Sequence, residues 1–307
     1  MKVLFRLPCW RPCWRPCWRA CWRACWRAVL LVLLLAPLGS AAELPLKIQP
    51  VGKESPRGFS RTFSKRVDVF GIPIFATAGT PDAKVLHAAN VLAQYLDNNA
   101  DGQPDNAQVH AMMKKNRAGI MMTATERSFE RLDVHRYIPE RIWDAMIMQG
   151  LFGEETLPGW TRRGRFDATL EEVLHLITHA GYAHVYPEVF GERPGTQIAK
   201  AMDLARGGHF RRVPRSYPAG AWYTYDDRSC DYGCQVTEYT YWGLTSILGA
   251  QDYPGRGQDI GEEWRLNTRD KVKQRDPTLY RLLTDPRYRF PSILPDGKYR
   301  PQPHPAN

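Results

Sequence analysis

The 307-residue sequence lacks any apolar run close to the roughly 20 residues a membrane-crossing helix needs. Its longest, "VLLVLLLAPLG" from Val29, follows a tandem tetrapeptide, "CWRPCWRPCWRACWRACWRA", and precedes the small residues of "GSAAE". A basic segment, a short apolar segment and a small-residue cut after Ala42 have the layout of a secretory signal peptide, so residues 1–42 are expected to be removed. Retention of the leader as a membrane anchor is the alternative. Five copies of one tetrapeptide read as repeat expansion, so the Cys-x-x-x-Cys spacing within them carries no metal assignment.

Cysteine and excess charge also become scarce past that leader. Five of the seven cysteines lie in the repeat, leaving Cys230 and Cys234 in "SCDYGCQ". In a chain bound for an oxidising compartment, secreted or periplasmic, this pair is expected to form a short-loop disulfide. Zinc ligation by the pair is disfavoured because no further cysteine completes such a site. Seven of the ten net positive charges are Lys2 and the arginines of the leader, so the rest of the chain is only about +3. That balance gives no electrostatic footprint for nucleic acid. Absent too are a G-x-S-x-G elbow, a phosphate loop and a dinucleotide fingerprint, which sets aside the hydrolase and nucleotide-binding classes that depend on them.

What remains, from Glu43, is long enough to bury a sizeable core as one large domain or two packed subdomains. "VDVFGIPIFATAG" (67–79) is β-branched and aromatic and predicts one or two strands, with Pro73 favouring an edge or a bend. Val85, Leu86, Ala89, Leu92, Ala93 and Leu96 recur at helical spacing after a Pro-Asp start, and a second helix is expected over about 105–115. "AGIMMTAT" reads as a short strand, and the pattern up to Trp160 is ambiguous. Helices are then expected over roughly 168–180, 196–206, 235–249 and 268–284. The fold class is therefore α+β: a strand-containing part over 43–160 and a mainly helical part over 161–307.

Two stretches carry candidate chemistry. The first, "DNNADGQPD", sets Asp97, Asn99, Asp101 and Asp105 at loop positions 1, 3, 5 and 9, with Gly102 at the sharp turn and Gln103 offering its carbonyl at position 7. Oxygen ligands at alternating positions converge on a hard cation, and with a helix on either side the segment resembles an EF-hand-type calcium loop. Gln108 stands where that pattern has a bidentate glutamate, which implies weak binding of the extracellular kind. A hydrogen-bonded Asn/Asp/Gly turn is the plain alternative.

The second is "TLEEVLHLITHAGYAH" (169–184). On a helix advancing 100° per residue, Glu171, His175, His179 and Glu172 fall on one stripe. Two imidazoles at i and i+4 can share a metal ion. The segment resembles the active-site helix of zincin-type metallopeptidases, with the histidine spacing kept and Leu176 in place of the general base. That resemblance implies zinc on His175 and His179 and a zincin-like layout, with Glu171 or Glu172 activating water. The third ligand is either His184, after Gly181 as in metzincins, or Glu238 of "CQVTEYTYWGL", as in gluzincins. Glu238 is preferred because a helix can aim a carboxylate at a fixed point. Nearby Tyr223, Tyr225, Tyr239 and Tyr241 are oxyanion candidates or aromatic core.

Each residue also has a structural reading: a capping box for Thr169 and Glu172, a dipole-favoured last-turn position for His179, a C-cap for Gly181. Large parts of the chain further resemble a group of secreted proteins that share a "YLDN" loop and an "EExxH" helix, without an established activity. The expectation is a secreted, zinc-dependent, peptidase-like hydrolase acting on a peptide or other extracellular substrate, with calcium and one disulfide as stabilisers. The rival is a non-catalytic secreted calcium-binding or interaction protein.

Overall fold

The computed structural model describes residues 46–159 and 164–301, so the leader reading lies outside the described residues. The polypeptide begins with β1 (Gln49–Pro50), a short helix α1 (Phe59–Thr62) and the hairpin β2 (Lys65–Val69) and β3 (Ile72–Ala76). Phe70 and Gly71, at φ 53° and 84°, form the tight turn between the hairpin strands. Helices α2 (Asp82–Leu96) and α3 (Ala107–Lys115) then cross over to β4 (Gly119–Thr123). Two short helices, α4 (Glu126–Glu130) and α5 (Glu140–Trp143), lead to β5 (Met148–Phe152).

The five strands pair in sequence order, antiparallel from β1 to β3 and parallel from β3 to β5. Residues alternate between the two faces, as strand geometry requires. Ile72, Ile74, Ile120, Met122 and Leu151 enter the main core, whereas Phe75 and Met121 point to the other face and join Phe59, Phe63 and Ile138. Pro73 does not mark an edge: β3 is an inner strand. The β3–β4 pairing begins at Ile74 opposite Ile120, which leaves Pro73 outside that ladder and removes no hydrogen bond from it.

The described residues after β5 are mainly helical, and their helices pack on the main-core face. They comprise α6 (Thr169–Ile177), a π-helical segment Thr178–Tyr182, α7 (Ala183–Val185) and α8 (Gln197–Ala205). After these come α9 (Tyr232–Leu248), α10 (Arg256–Asp259), α11 (Arg269–Arg275) and α12 (Pro277–Thr284). The α+β class therefore stands, with the sheet in the N-terminal part and helices after it. One apolar core runs from the sheet through α2 and α6 to α9 and α12. The helix expected over 268–284 is broken at Asp276, whose carboxylate caps α12 through the Leu279 N–H and accepts from Tyr239 and Trp222.

Cys230 and Cys234 lie at disulfide distance, Cα atoms 5.4 Å apart, across the start of α9, where Asp231 caps the Cys234 N–H. Among the described residues no helix is long and apolar enough to cross a membrane.

Candidate metal centre

Helix α6 owes its start to Asp167 rather than to a capping box. Asp167 is fully buried; one carboxylate oxygen accepts the N–H groups of Leu157 and Thr169, and the other lies 2.6 Å from His87 Nε2. Thr169 makes no side-chain cap on the helix. The capping-box reading is thus overturned, and Glu172 is free for other use. Gln149 of β5 donates to its Oε2 at 2.5 Å, and the same oxygen lies 3.5 Å from His175 Nδ1. Neither is Gly181 a C-cap. It lies inside the π segment against α3, where a Cβ would come within 2.7 Å of the Val109 side chain.

Helix α9 crosses α6 and brings Glu238 to His175, Oε2 to Nε2 at 3.6 Å. Together with Glu171, one turn earlier on α6, these residues place three ligand atoms within 4.8 Å of one another. The edge of a tetrahedral zinc site with ligands at about 2.1 Å is about 3.4 Å, so a small closing movement would complete such a site. His175 is buried, and its Nε2 has no hydrogen-bond partner. The 3.6 Å approach of Glu238 is an ion pair without a hydrogen bond, and a cation bound between the two atoms would replace it. With Nδ1 facing Glu172 and Nε2 facing two carboxylates, His175 has the carboxylate–histidine arrangement that orients a metal ligand.

Burial and like charge oppose ionisation within the trio. Burial, then the neighbouring Glu238, push the Glu171 carboxyl up to about 8. Burial alone would lower the pKa of His175, but Glu238 and Glu172 beside it outweigh that and hold it well above the usual histidine range. The Tyr241 hydroxyl hydrogen-bonds Glu171, and the Tyr241 ring stands edge-on to His175 at 5.5 Å.

His179 does not join this group. Its Nδ1 lies 2.5 Å from Glu192 Oε2, and its side chain is 49% exposed. It shares the stripe of Glu171 and His175 in angle but sits about 12 Å along the axis from Glu171. Helix α9 crosses at the level of the first two. His184 lies on α7, exposed, beside His179 and outside the trio. Of the four tyrosines, Tyr239 bonds Asp276 and Tyr223 bonds the Gln235 carbonyl, both in the core. Tyr225 and Tyr241 line a cleft with Glu171 and Glu238.

That cleft, about 850 Å³ and open to solvent, is bordered by Glu262, Glu263, Asp226 and Arg256, none of which any spacing rule in the sequence singles out. Burial raises the pKa of Glu263, and the nearby Asp226 and Glu238 raise it further.

The Asp97 loop does join two helices, α2 and α3, but its oxygens are turned onto its own backbone. Buried Asp97 accepts the N–H groups of Asp101 and Gly102 and the Tyr299 hydroxyl. Asp101 accepts from Gln103 N–H and Asn99 Nδ2, and Asp105 from Asn98 N–H. Among the described residues, Asp97, Asp101 and Asp105 do not form a group of ligand atoms like that of the trio. No family model, no curated protein and no solved structure matches this chain.

Proposed function

We propose that the protein is a metal-dependent hydrolase, peptidase-like and secreted, whose centre is Glu171, His175 and Glu238. The observation that carries this reading is the convergence of Glu171, buried His175 and Glu238 from two crossing helices at the edge of an open cleft, with His175 Nε2 ion-paired to Glu238 but not hydrogen-bonded. Two carboxylates and one imidazole suit zinc, which then supplies Lewis-acid polarisation of a carbonyl and of water. The set leaves room for substrate because only three side chains contribute.

The chain's own residues divide the remaining work. Glu172, held by Gln149, orients His175, and Tyr241 orients Glu171. Glu263 faces the cleft as the proton acceptor for the attacking water, and the Tyr225 hydroxyl faces it as a donor to a developing oxyanion. Glu171 thus changes role from the water activator expected of the zincin-type helix to a ligand. Calcium at the Asp97 loop is the second proposed ion, and it would bind there only by displacing the N–H and hydroxyl contacts that Asp97, Asp101 and Asp105 accept.

The test is metal analysis of protein purified without chelator, with a hydrolysis screen on a peptide library. One equivalent of zinc, lost in His175→Ala together with hydrolysis, is the expected result. Calcium lost in Asp97→Ala would add the second ion. Calcium alone, unaffected by His175→Ala, would overturn the hydrolase reading in favour of the binding module.

A further inference from the structure

Among the described residues, the cleft holds a cation, Arg256, that makes no ion pair within 4.0 Å, although its charge acts to lower the pKa of Glu263. Arg256 stands on the short helix α10 with its guanidinium stacked on Phe166 at 4.5 Å and near Trp242 at 5.7 Å. Its Nε donates to the neutral amide oxygen of Gln251 at 2.7 Å. Asp259, Glu262 and Glu263 border the same cleft, yet among the described residues no carboxylate forms an ion pair with Arg256. Arg215, Arg228 and Arg265 also border the cleft, but they are exposed, where hydration screens them.

Arg256 is also tied to the metal centre. Gln251, fully buried, donates through Nε2 to the Tyr241 hydroxyl at 3.3 Å, and Tyr241 hydrogen-bonds Glu171. A chain of Arg256, Gln251, Tyr241 and Glu171 therefore fixes the guanidinium three hydrogen bonds from a metal ligand. Three hydrogen bonds of about 3 Å span up to about 9 Å, which is up to about three extended substrate residues at about 3.3 Å each. A planar guanidinium held on aromatic faces keeps donors for a bidentate anion.

We propose that Arg256 is the specificity residue of this cleft, reading a carboxylate that the substrate carries within about three residues of the bond presented to the metal. This rests on the metal-centre reading above. A carboxylate fits better than a phosphate ester, because Asp226, Glu262 and Glu263 along the same cleft repel a second negative charge. The carboxylate has two sources, the free C-terminus of a peptide or an acidic side chain.

Calorimetric titration of the full chain decides the matter without turnover. The probes are N-acetylphenylalanine against its primary amide, for a terminal carboxylate, and N-acetylglutamate α-amide against N-acetylglutamine α-amide, for a side chain. At least tenfold tighter binding of one acid over its amide, lost in Arg256→Gln and partly kept in Arg256→Lys, is expected, and the pair that shows it names the source. Equal affinity of acid and amide in the wild type overturns the proposal, as does a preference that survives Arg256→Gln. Inorganic phosphate competing as well as the better acid overturns the carboxylate assignment. Metal content, measured on the same samples, separates the two readings. Arg256→Gln is expected to retain the metal, and a wild type that binds none refutes the metal centre whatever the titrations show.

Discussion

The acidic loop at Asp97 and the α6–α9 trio are both clusters of carboxylates, and they treat their oxygens in opposite ways. In the loop, Asp97, Asp101 and Asp105 accept backbone N–H groups of the same turn, so folding alone satisfies them. In the trio, two glutamates from different helices crowd a histidine whose Nε2 is ion-paired with Glu238 but makes no hydrogen bond. The loop satisfies its carboxylates within itself, whereas in the trio burial and Glu238 oppose the ionisation of Glu171. Density of acidic residues is thus a weaker sign of a binding site than ligand groups that converge from two helices.

The sharpest way to break this comparison is to exchange its effects. His175→Ala is expected to weaken zinc binding by more than about a hundredfold, since even the loss of a residue that only orients a ligand costs about 10–100-fold. Equilibrium competition with a chromogenic chelator reads the change. The variant should also be less stable at low pH, because it removes the charge that Glu238 and Glu172 favour on His175. Asp97→Ala should separate the two effects: zinc affinity unchanged and stability lower by about 2–3 kcal/mol, the usual range for charge-assisted hydrogen bonds left open. Urea denaturation checks it. An Asp97→Ala variant as stable as wild type would sink the view that the loop is self-satisfied.

Glu172→Gln sharpens the comparison inside the trio's own surroundings. It keeps the size of the side chain and removes the charge facing His175 Nδ1, so zinc should bind about 10–100-fold more weakly with stability nearly unchanged. No change in affinity would return Glu172 to a surface role.

The fold was more legible in the sequence than the site, for a physical reason that particular residues make plain. The α2 helix announced itself because Val85, Ala89, Leu92 and Leu96 repeat on one side and are all buried. By contrast β5, "MQGLF", has no β-branched residue and is half-buried, so neither propensity nor alternation marks it. At the site, the sequence pairs His179 with His175 and gives the water to Glu171 or Glu172, whereas the structure groups Glu171 with His175 and Glu238. A helical wheel gives the angle of each side chain but not the level at which a second helix crosses, and that level selects Glu171 over His179. Glu263, Gln251 and Arg256 come to the cleft from segments after α9, with no spacing that links them to α6.

Acidity offers a subtler contrast. The Glu171 carboxyl is raised to about 8, and that of Glu155 to about 7 by burial and by Glu172, Glu126 and Glu154 around it. Each holds its proton in the folded chain after the unfolded chain has released it, from about pH 4.5 upward. His175, also raised, adds stability below the unfolded histidine pKa that is lost as pH rises through its folded value. The metal-free protein should therefore lose stability as pH rises from about 5 to 8. Zinc should reverse the part due to Glu171 and His175, because both must shed their protons to ligate. Thermal melts across that range, with and without zinc, read both slopes. A metal-free melting temperature that climbs over the interval would contradict this account of the trio.

The smallest expected effect belongs to His179→Ala. Its pairing with Glu192 raises its pKa, but with the side chain half exposed, the pair is screened by water, and such surface pairs contribute about 0–1 kcal/mol. Zinc affinity should stay within about threefold of wild type, since tenfold already corresponds to about 1.4 kcal/mol of lost ligation. The variant nonetheless divides the two descriptions of α6 cleanly. A His-x-x-x-His site requires His179 as much as His175, whereas a Glu-x-x-x-His site completed by Glu238 does not use it. A large loss of zinc in His179→Ala would place the metal one turn further along the helix and remove Glu171 from its ligands.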